Sequence, residues 1–325
     1  MNRILIVRLG AVGDGLMLAP GLASLRRAQP AARIDLAGIA WRLRLLVGPT
    51  LADAVRPLDD FFRGDEADAD ELATYDRIIV FAIDLDEHPV RELARAAPDR
   101  VELHQSFPIC RASETHVIDH IQQALAGCGV EPPAERHYRL PVPDDARRAA
   151  AQFLARWPGR EPRVYLHPGT RIATKQWPAE RFVALCRELS GRRGWQVFIG
   201  CGPLDEATVR PIEQGLADVD FVVVRGQDLI LTAAVVERMD LCIGVDSGIT
   251  HLASLVGTPT LALFGPTRPA LWGPVGPRVQ VLVGSRDRDC CQDDHPRTCD
   301  GGCMEEISID RVLDAAEAMR REARG

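Results

Sequence analysis

Three groups of residues in this chain have side chains suited to chemistry. The first is Asp246, Ser247, Gly248 and His251, inside the stretch GVDSGITHLASLVGTPTLALFGPT. An Asp-Ser-Gly turn after an apolar strand opens a helix and points free N–H groups above the strand ends, which makes an anion site. An ordinary crossover with an Asp cap has the same spelling. The second is Lys175, the only lysine among 39 basic residues. In an arginine-rich background a lone ammonium stands out, because a compact point charge and a planar guanidinium fit different partners; a residue simply left over is the other explanation. The third is Gly10, Gly13 and Asp14 in RLGAVGD. Asp14 is either a carboxylate that takes up a proton or a helix N-cap. Together these types describe a site that holds an anion and a base that deprotonates a partner.

The elements that must position them alternate strand and helix. A β run at 3–8 leads through the glycine turn into a helix over 15–27. The glycines are spaced G-x-x-G, so the dinucleotide fingerprint G-x-G-x-x-G is missing. Asp35, placed near the end of a strand at 33–37, could mimic the ribose acid of such a fold, and the absent middle glycine weakens that reading. A strand at 75–83 and a helix at 114–128 continue the pattern, and the Pro- and charge-rich stretch 129–145 reads as interdomain. After a helix over 144–157, strands at 164–167, 195–199, 221–224, 241–245 and 260–264 alternate with helices over 180–189, 230–237 and 248–256. Three strand ends therefore converge: His167-Pro168-Gly169-Thr170, the turn from Gly200 to Glu206, and Asp246-Ser247-Gly248. Ligands of open α/β sheets bind at such carboxyl ends.

Composition narrows the class. With 325 residues, 46% hydrophobic and 26% charged, the chain can build two soluble domains. A net charge of -7 argues against a broad basic face, so no nucleic-acid partner is expected. No apolar run approaches the ~20 residues of a membrane span, which leaves at most peripheral membrane contact. The N-terminus reads as a first strand, not a signal peptide, and a cytoplasmic protein is expected, with the inner face of the cytoplasmic membrane as a further option. Of nine cysteines, Cys110, Cys128, Cys186, Cys201 and Cys242 sit in apolar contexts and read as reduced core residues. Cys290, Cys291, Cys299 and Cys303 cluster as C-C-x7-C-x3-C, which lacks the C-x-x-C pairs of a zinc ribbon. A structural zinc or iron, a disulfide and free thiols all remain open for them, and any metal there would organise a loop and take no part in catalysis.

The opening ILIVRLGAVGD, the segment HPGT…KQWPAERF, GVDSGITHLASLVGTPTLALFGPT, Trp272-Gly273-Pro274 and Cys303-Met304 resemble glycosyltransferase family 9, the ADP-heptose:lipopolysaccharide heptosyltransferases. The resemblance spans nearly the whole chain. It implies an α/β GT-B fold of two Rossmann-like domains facing across a cleft. Residues 1–155 would meet the acceptor, residues 156–306 would hold the nucleotide sugar, and residues 307–325 would form a closing helix able to pack back on the first domain. It implies inverting transfer of a heptose from an ADP-heptose donor to a lipid-linked saccharide, the inner core of lipopolysaccharide (lipid A-Kdo type), with no cofactor needed for catalysis. By motif, Asp14 matches the general base, with Gly10 and Gly13 on the acceptor side. Gly169, Thr170 and Lys175 match diphosphate contacts, Glu206 a ribose-binding acid, and Asp246, Ser247, Gly248 and His251 the donor signature. Some relatives carry cysteines in the late region, and a few bind iron through them.

The chemistry agrees with that assignment. Displacing a diphosphate from an anomeric carbon passes through an oxocarbenium-like state. The leaving group gathers charge and needs fixed donors and a cation, while the acceptor hydroxyl needs a carboxylate. The same fold and reaction with another sugar, or with a protein or metabolite acceptor, a GT-B sugar-nucleotide epimerase, and a Rossmann dehydrogenase are the alternatives.

Overall fold

Ile4, Leu5, Ile6 and Val7 are all fully buried, as a parallel strand covered on both faces requires. A computed structural model describes residues 2–107, 114–132, 134–158, 161–284 and 302–322 of the chain. Cys110, Cys290, Cys291 and Cys299 lie outside the described residues. Chain contacts separate two units, Met1–Leu140 and Pro141–Gly325.

The first unit is built on β1 (Arg3–Arg8), β2 (Arg33–Gly38), β3 (Ala54–Pro57), β4 (Arg77–Ala82) and β5 (Val101–Gln105). They form one parallel sheet in the order β3-β2-β1-β4-β5. The order reverses between β1 and β4, so the turn that leaves β1 stands at the switch point of a doubly wound sheet. That turn carries Gly10 to Asp14. The single helix expected over 15–27 is two, α1 (Val12–Leu16) and α2 (Ala19–Ala28). Pro20 is the reason: it sits in the first turn of α2, where a missing N–H costs nothing, but it would break a continuous helix. Asp35 does not stand at a strand end. It lies in mid-β2, fully buried, accepting from Tyr75 Oη at 2.9 Å and Arg33 Nε at 3.0 Å. It is a core anchor and does not read a ribose.

In the second unit, β6 (Arg163–His167), β7 (Gln196–Cys201), β8 (Val222–Arg225), β9 (Leu241–Val245), β10 (Thr260–Phe264) and β11 (Val279–Val283) make a parallel sheet in the order β8-β7-β6-β9-β10-β11. Here the order reverses between β6 and β9, which places the crevice above His167 and Val245. The chain is thus mixed α/β with two Rossmann-like parallel sheets, the GT-B class.

Two boundaries differ from the sequence expectation. The helix Asp144–Leu154, placed there in the first domain, belongs to the second unit. Its Arg147 holds Glu237 through two bonds of 2.8 Å, and Glu237 ends the helix Leu229–Glu237. The closing helix Ile309–Glu322, expected to be able to pack back on the first domain, puts Val312, Leu313, Ala316 and Met319 into the second unit's core. Trp177 Nε1 donates to Ile307 O at 2.9 Å and fixes its start. No helix among the described residues is long and apolar enough to cross a membrane.

Cys128, Cys186, Cys201 and Cys242 are buried, and burial pushes the thiols of Cys186 and Cys242 up to about 12, which keeps them protonated and unreactive. Close packing at the second sheet has a testable consequence. A Cβ on Gly200 would lie 2.2 Å from the Tyr165 hydroxyl oxygen on the neighbouring strand. Gly200→Ala should therefore cost about 1–3 kcal/mol by overpacking. Thermal unfolding should show a lowered Tm, and Tyr165→Phe in the same chain should restore part of it. An unchanged Tm in Gly200→Ala would show that the two strands have slack at this point.

Candidate functional site

Asp246 follows β9 directly. Its N–H donates to Leu263 O at 3.1 Å, which fixes the residue against the next strand. Its carboxylate collects three groups. Lys175 Nζ donates to Oδ2 at 2.6 Å, Thr267 Oγ1 donates to the same oxygen at 2.5 Å, and His251 Nε2 stands 3.9 Å from Oδ1. The pair is nearly closed to water, with side-chain exposures of 14% for Lys175 and 8% for Asp246. A buried carboxylate beside a cation and a hydroxyl has its charge answered locally.

Ser247 is the N-cap of the helix Gly248–Val256, accepting from Thr250 N–H at 3.4 Å. Thr250 Oγ1 turns back to Val245 O at 2.5 Å, and a Cβ on Gly244 would meet that hydroxyl at 2.4 Å. Glycine at 244 thus lets the helix start sit flush on the strand end. The first N–H groups of this helix carry the positive end of its dipole, and the residue before its cap, Asp246, holds the Lys175 ammonium.

The end of β6 supplies the neighbouring wall. Gly169 passes so close to Asp205 that a Cβ would lie 2.2 Å from its carboxylate, and Asp205 Oδ2 accepts from Gly202 N–H at 2.9 Å. His167 is buried, with Nε2 3.9 Å from Asp205 Oδ2. Desolvation pushes its pKa down, more than the Asp205 charge raises it, so the imidazole is neutral at pH 7. Thr170 opens the loop that returns at Lys175. Its Oγ1 accepts from Ile172 N–H and its carbonyl from Gln176 Nε2, both at 3.5 Å.

The structure brings Lys175, Asp246, Ser247, Gly248 and His251 into one cluster, with Gly169 and Thr170 on its border. Glu206 stands apart as the first residue of the helix Glu206–Gly215 that follows β7, its carboxylate 3.4 Å from Cys201 Sγ and 3.1 Å from Arg225 Nε. Those two contacts, the thiol first, hold it below the usual carboxylate range. Among the described residues no group of three His, Cys, Asp or Glu is arranged to hold a metal ion. Cys303 is buried, with its sulfur 3.1 Å from where a Cβ on Gly265 would stand.

In the first unit Asp14 is not an N-cap. Ala11 is, and Asp14 occupies the third helical position, its Oδ2 accepting from Ala11 N–H at 2.7 Å. Its other oxygen lies 3.7 Å from an Arg8 terminal nitrogen. Gly10 has φ +144, and a Cβ there would strike Asp14 Oδ2 at 2.6 Å, so glycine is required beneath the carboxylate. Gly13 lies in α1 and its carbonyl accepts from Met17 N–H at 3.0 Å.

Sequence reasoning passed over three residues. Arg8 is buried, its Nε donating to Asp14 O at 3.0 Å, and desolvation lowers its pKa while Asp14 opposes that. An arginine ending an otherwise apolar strand was the available signal. Thr267 lies in a turn whose partner Asp246 is 21 positions away, and nothing local marks it. Asp205, at the start of the helix Glu206–Gly215, bonds Gly202 locally, but its approach to His167 and Gly169 is set by the fold.

These observations meet the comparisons with known proteins. The curated lipopolysaccharide heptosyltransferase 1 of Pseudomonas aeruginosa is 39% identical over 39% of this chain and 35% of its own length. The chain thus spans about a third of that relative, and further relatives align over similar fractions. Lipopolysaccharide heptosyltransferase 3 of Escherichia coli is 25% identical over 78% of this chain and 81% of its own. Among solved structures, a family 9 glycosyl transferase from Veillonella parvula superposes with a TM-score of 0.81 at 22% identity, covering 99% of this chain and 98% of the other. The E. coli heptosyltransferase WaaC with ADP gives 0.64 at 18%, covering 98% and 99%. The model of glycosyltransferase family 9 (heptosyltransferase) matches residues 94–300, well over half of the sequence, and the chain belongs to that family.

Proposed function

We propose that this protein is an inverting glycosyltransferase that moves a heptose from ADP-heptose to the inner core of a lipopolysaccharide (lipid A-Kdo type) acceptor. The observation that carries the reading is the cluster at the second switch point: the Lys175 ammonium held 2.6 Å from Asp246 at the start of the helix Gly248–Val256. A diphosphate leaving group there would meet a cation and aligned N–H donors as its charge grows. Gly169, Thr170, Ser247, Gly248 and His251 would shape that subsite, and Glu206 would accept the ribose hydroxyls from its exposed position. Asp14, 22% exposed and backed by Arg8, would take the proton of the acceptor hydroxyl. The similarity to proteins named lipopolysaccharide heptosyltransferases, and to one solved with ADP, supports the donor and acceptor classes. A protein working in the cytoplasm, meeting its lipid-linked acceptor at the inner face of the membrane, fits this role.

The test is direct. Purified protein, ADP-L-glycero-β-D-manno-heptose and a lipid A-Kdo acceptor should yield ADP and an acceptor heavier by one heptose, read by mass spectrometry. With the acceptor omitted, a change in the sugar of the recovered nucleotide would identify an epimerase. A product made only from another sugar nucleotide would keep the reaction and replace the donor.

A further inference from the structure

The rim of the first unit carries side chains that the proposed chemistry leaves unused. Trp41 is 55% exposed and Ile39 43%. Both follow β2, whose C-terminal end lies beside that of β1 in the sheet. Their short helix, Ala40–Leu43, is fastened to the Asp14 turn. Arg42 Nη1 donates to Gly10 O at 2.5 Å. A Cβ on Gly15, the residue after Asp14, would lie 2.8 Å from Leu43, and one on Gly38 would lie 3.1 Å from Leu43 and 2.5 Å from Arg8 O. Glycines at 15 and 38 are what allow this close approach. The backbone that carries the indole is therefore held against the turn that carries Asp14. The Arg42 guanidinium carbon stands over the Trp41 ring, 5.2 Å from its centroid, and more than half of the residue stays exposed.

Resting on the reading of this chain as a sugar transferase, we propose that Trp41 is a stacking platform for a pyranose ring of the saccharide acceptor. A pyranose presents a face of weakly positive C–H groups, which suits the negative face of an aromatic ring. Covering the indole also removes apolar area from water. A tryptophan loses few rotamers on binding and so makes a rigid contact at low entropic cost. A lipid surface is the other partner an exposed tryptophan suits. The geometry favours the sugar. Trp41 sits on a four-residue helix pinned to the Asp14 turn, which ties the ring's helix to the turn of the carboxylate proposed to deprotonate the acceptor.

The experiment compares wild type, Trp41→Ala and Trp41→Phe in the full-length chain, with a deacylated Kdo-containing inner-core saccharide as acceptor probe. Trp41→Ala should raise the acceptor KM on the order of tenfold, as expected for loss of an aromatic anchor. ADP affinity and kcat at saturating saccharide should stay near wild type, and Trp41→Phe should recover most of the loss. An unchanged acceptor KM with lost binding to phosphatidylethanolamine–phosphatidylglycerol vesicles would overturn the proposal in favour of a membrane contact. A loss confined to kcat would overturn it too. Saccharide binding followed by tryptophan fluorescence needs no turnover. Quenching that disappears in Trp41→Phe supports the platform even where transfer to this saccharide fails, a failure that would count against the functional reading alone. Absence of quenching in the wild type would overturn the platform.

Discussion

Asp14→Asn should abolish most transfer, by roughly 10²–10⁴-fold, while ADP binding and thermal stability stay close to wild type. The substitution is informative because of what Asp14 touches. Oδ2 accepts from Ala11 N–H at 2.7 Å, and an asparagine oxygen can keep that bond. Oδ1 faces a buried Arg8 nitrogen at 3.7 Å without a hydrogen bond to it. The amide therefore preserves the turn and removes the capacity to take up a proton. If Asp14 only closes the helix start, Asp14→Asn should keep its activity and lose at most about 1 kcal/mol of stability. Rate and Tm measured on the same preparation separate these outcomes: full activity with a lowered Tm would sink the general-base role. Arg8 sharpens the test. Burial already disfavours its charge, and the nearby Asp14 carboxylate opposes that, so Asp14→Ala should disturb the strand end more than Asp14→Asn does.

Much of the architecture is legible in the sequence because burial on both faces writes itself as uninterrupted apolar runs. Ile4 to Val7 and Leu241 to Val245 fit buried strands, and both are central parallel strands. Turn residues at their ends then point to the switch points, and the helix start at Ser247-Gly248 follows from Ser and Gly in the right order. What stays hidden is anything decided by distant partners. The Asp246 carboxylate takes Lys175 from 71 positions away and Thr267 from 21 away. Asp35 has the spelling of a ribose acid, yet Tyr75 and Arg33 claim it inside the core. The Pro-rich stretch 129–145 reads as interdomain, yet the domain boundary expected at 155 leaves the helix Asp144–Leu154 with the first domain; its ion pair with Glu237 ties it to the second unit. Periodicity fixes which face of an element is buried and says nothing of which neighbour buries it.

Lys175→Ala should lower transfer on the order of 10²–10³-fold, the loss expected when a preorganised charge-stabilising donor is removed. In the structure the ammonium is parked on Asp246, which also takes the Thr267 hydroxyl and faces His251. That arrangement fixes a cation at the helix start, so little reorganisation is needed when a diphosphate develops charge there. Removing the lysine also leaves Asp246 with one strong partner fewer in a nearly closed site, and some loss of Tm is expected along with the loss of rate. Lys175→Arg separates the two effects. It keeps a positive charge for Asp246, but its planar fork cannot sit between carboxylate and phosphate as a point charge can. The arginine variant should therefore regain stability and remain impaired in kcat. The lone lysine permits a second, independent readout. An amine-reactive reagent can modify only Lys175 and the α-amine of this chain. Saturating ADP should protect one of these two sites, and activity should fall in step with that label in intact-mass measurements. Equal labelling of Lys175 with and without ADP, in an enzyme that still transfers sugar, would show that the ammonium serves Asp246 and not the donor.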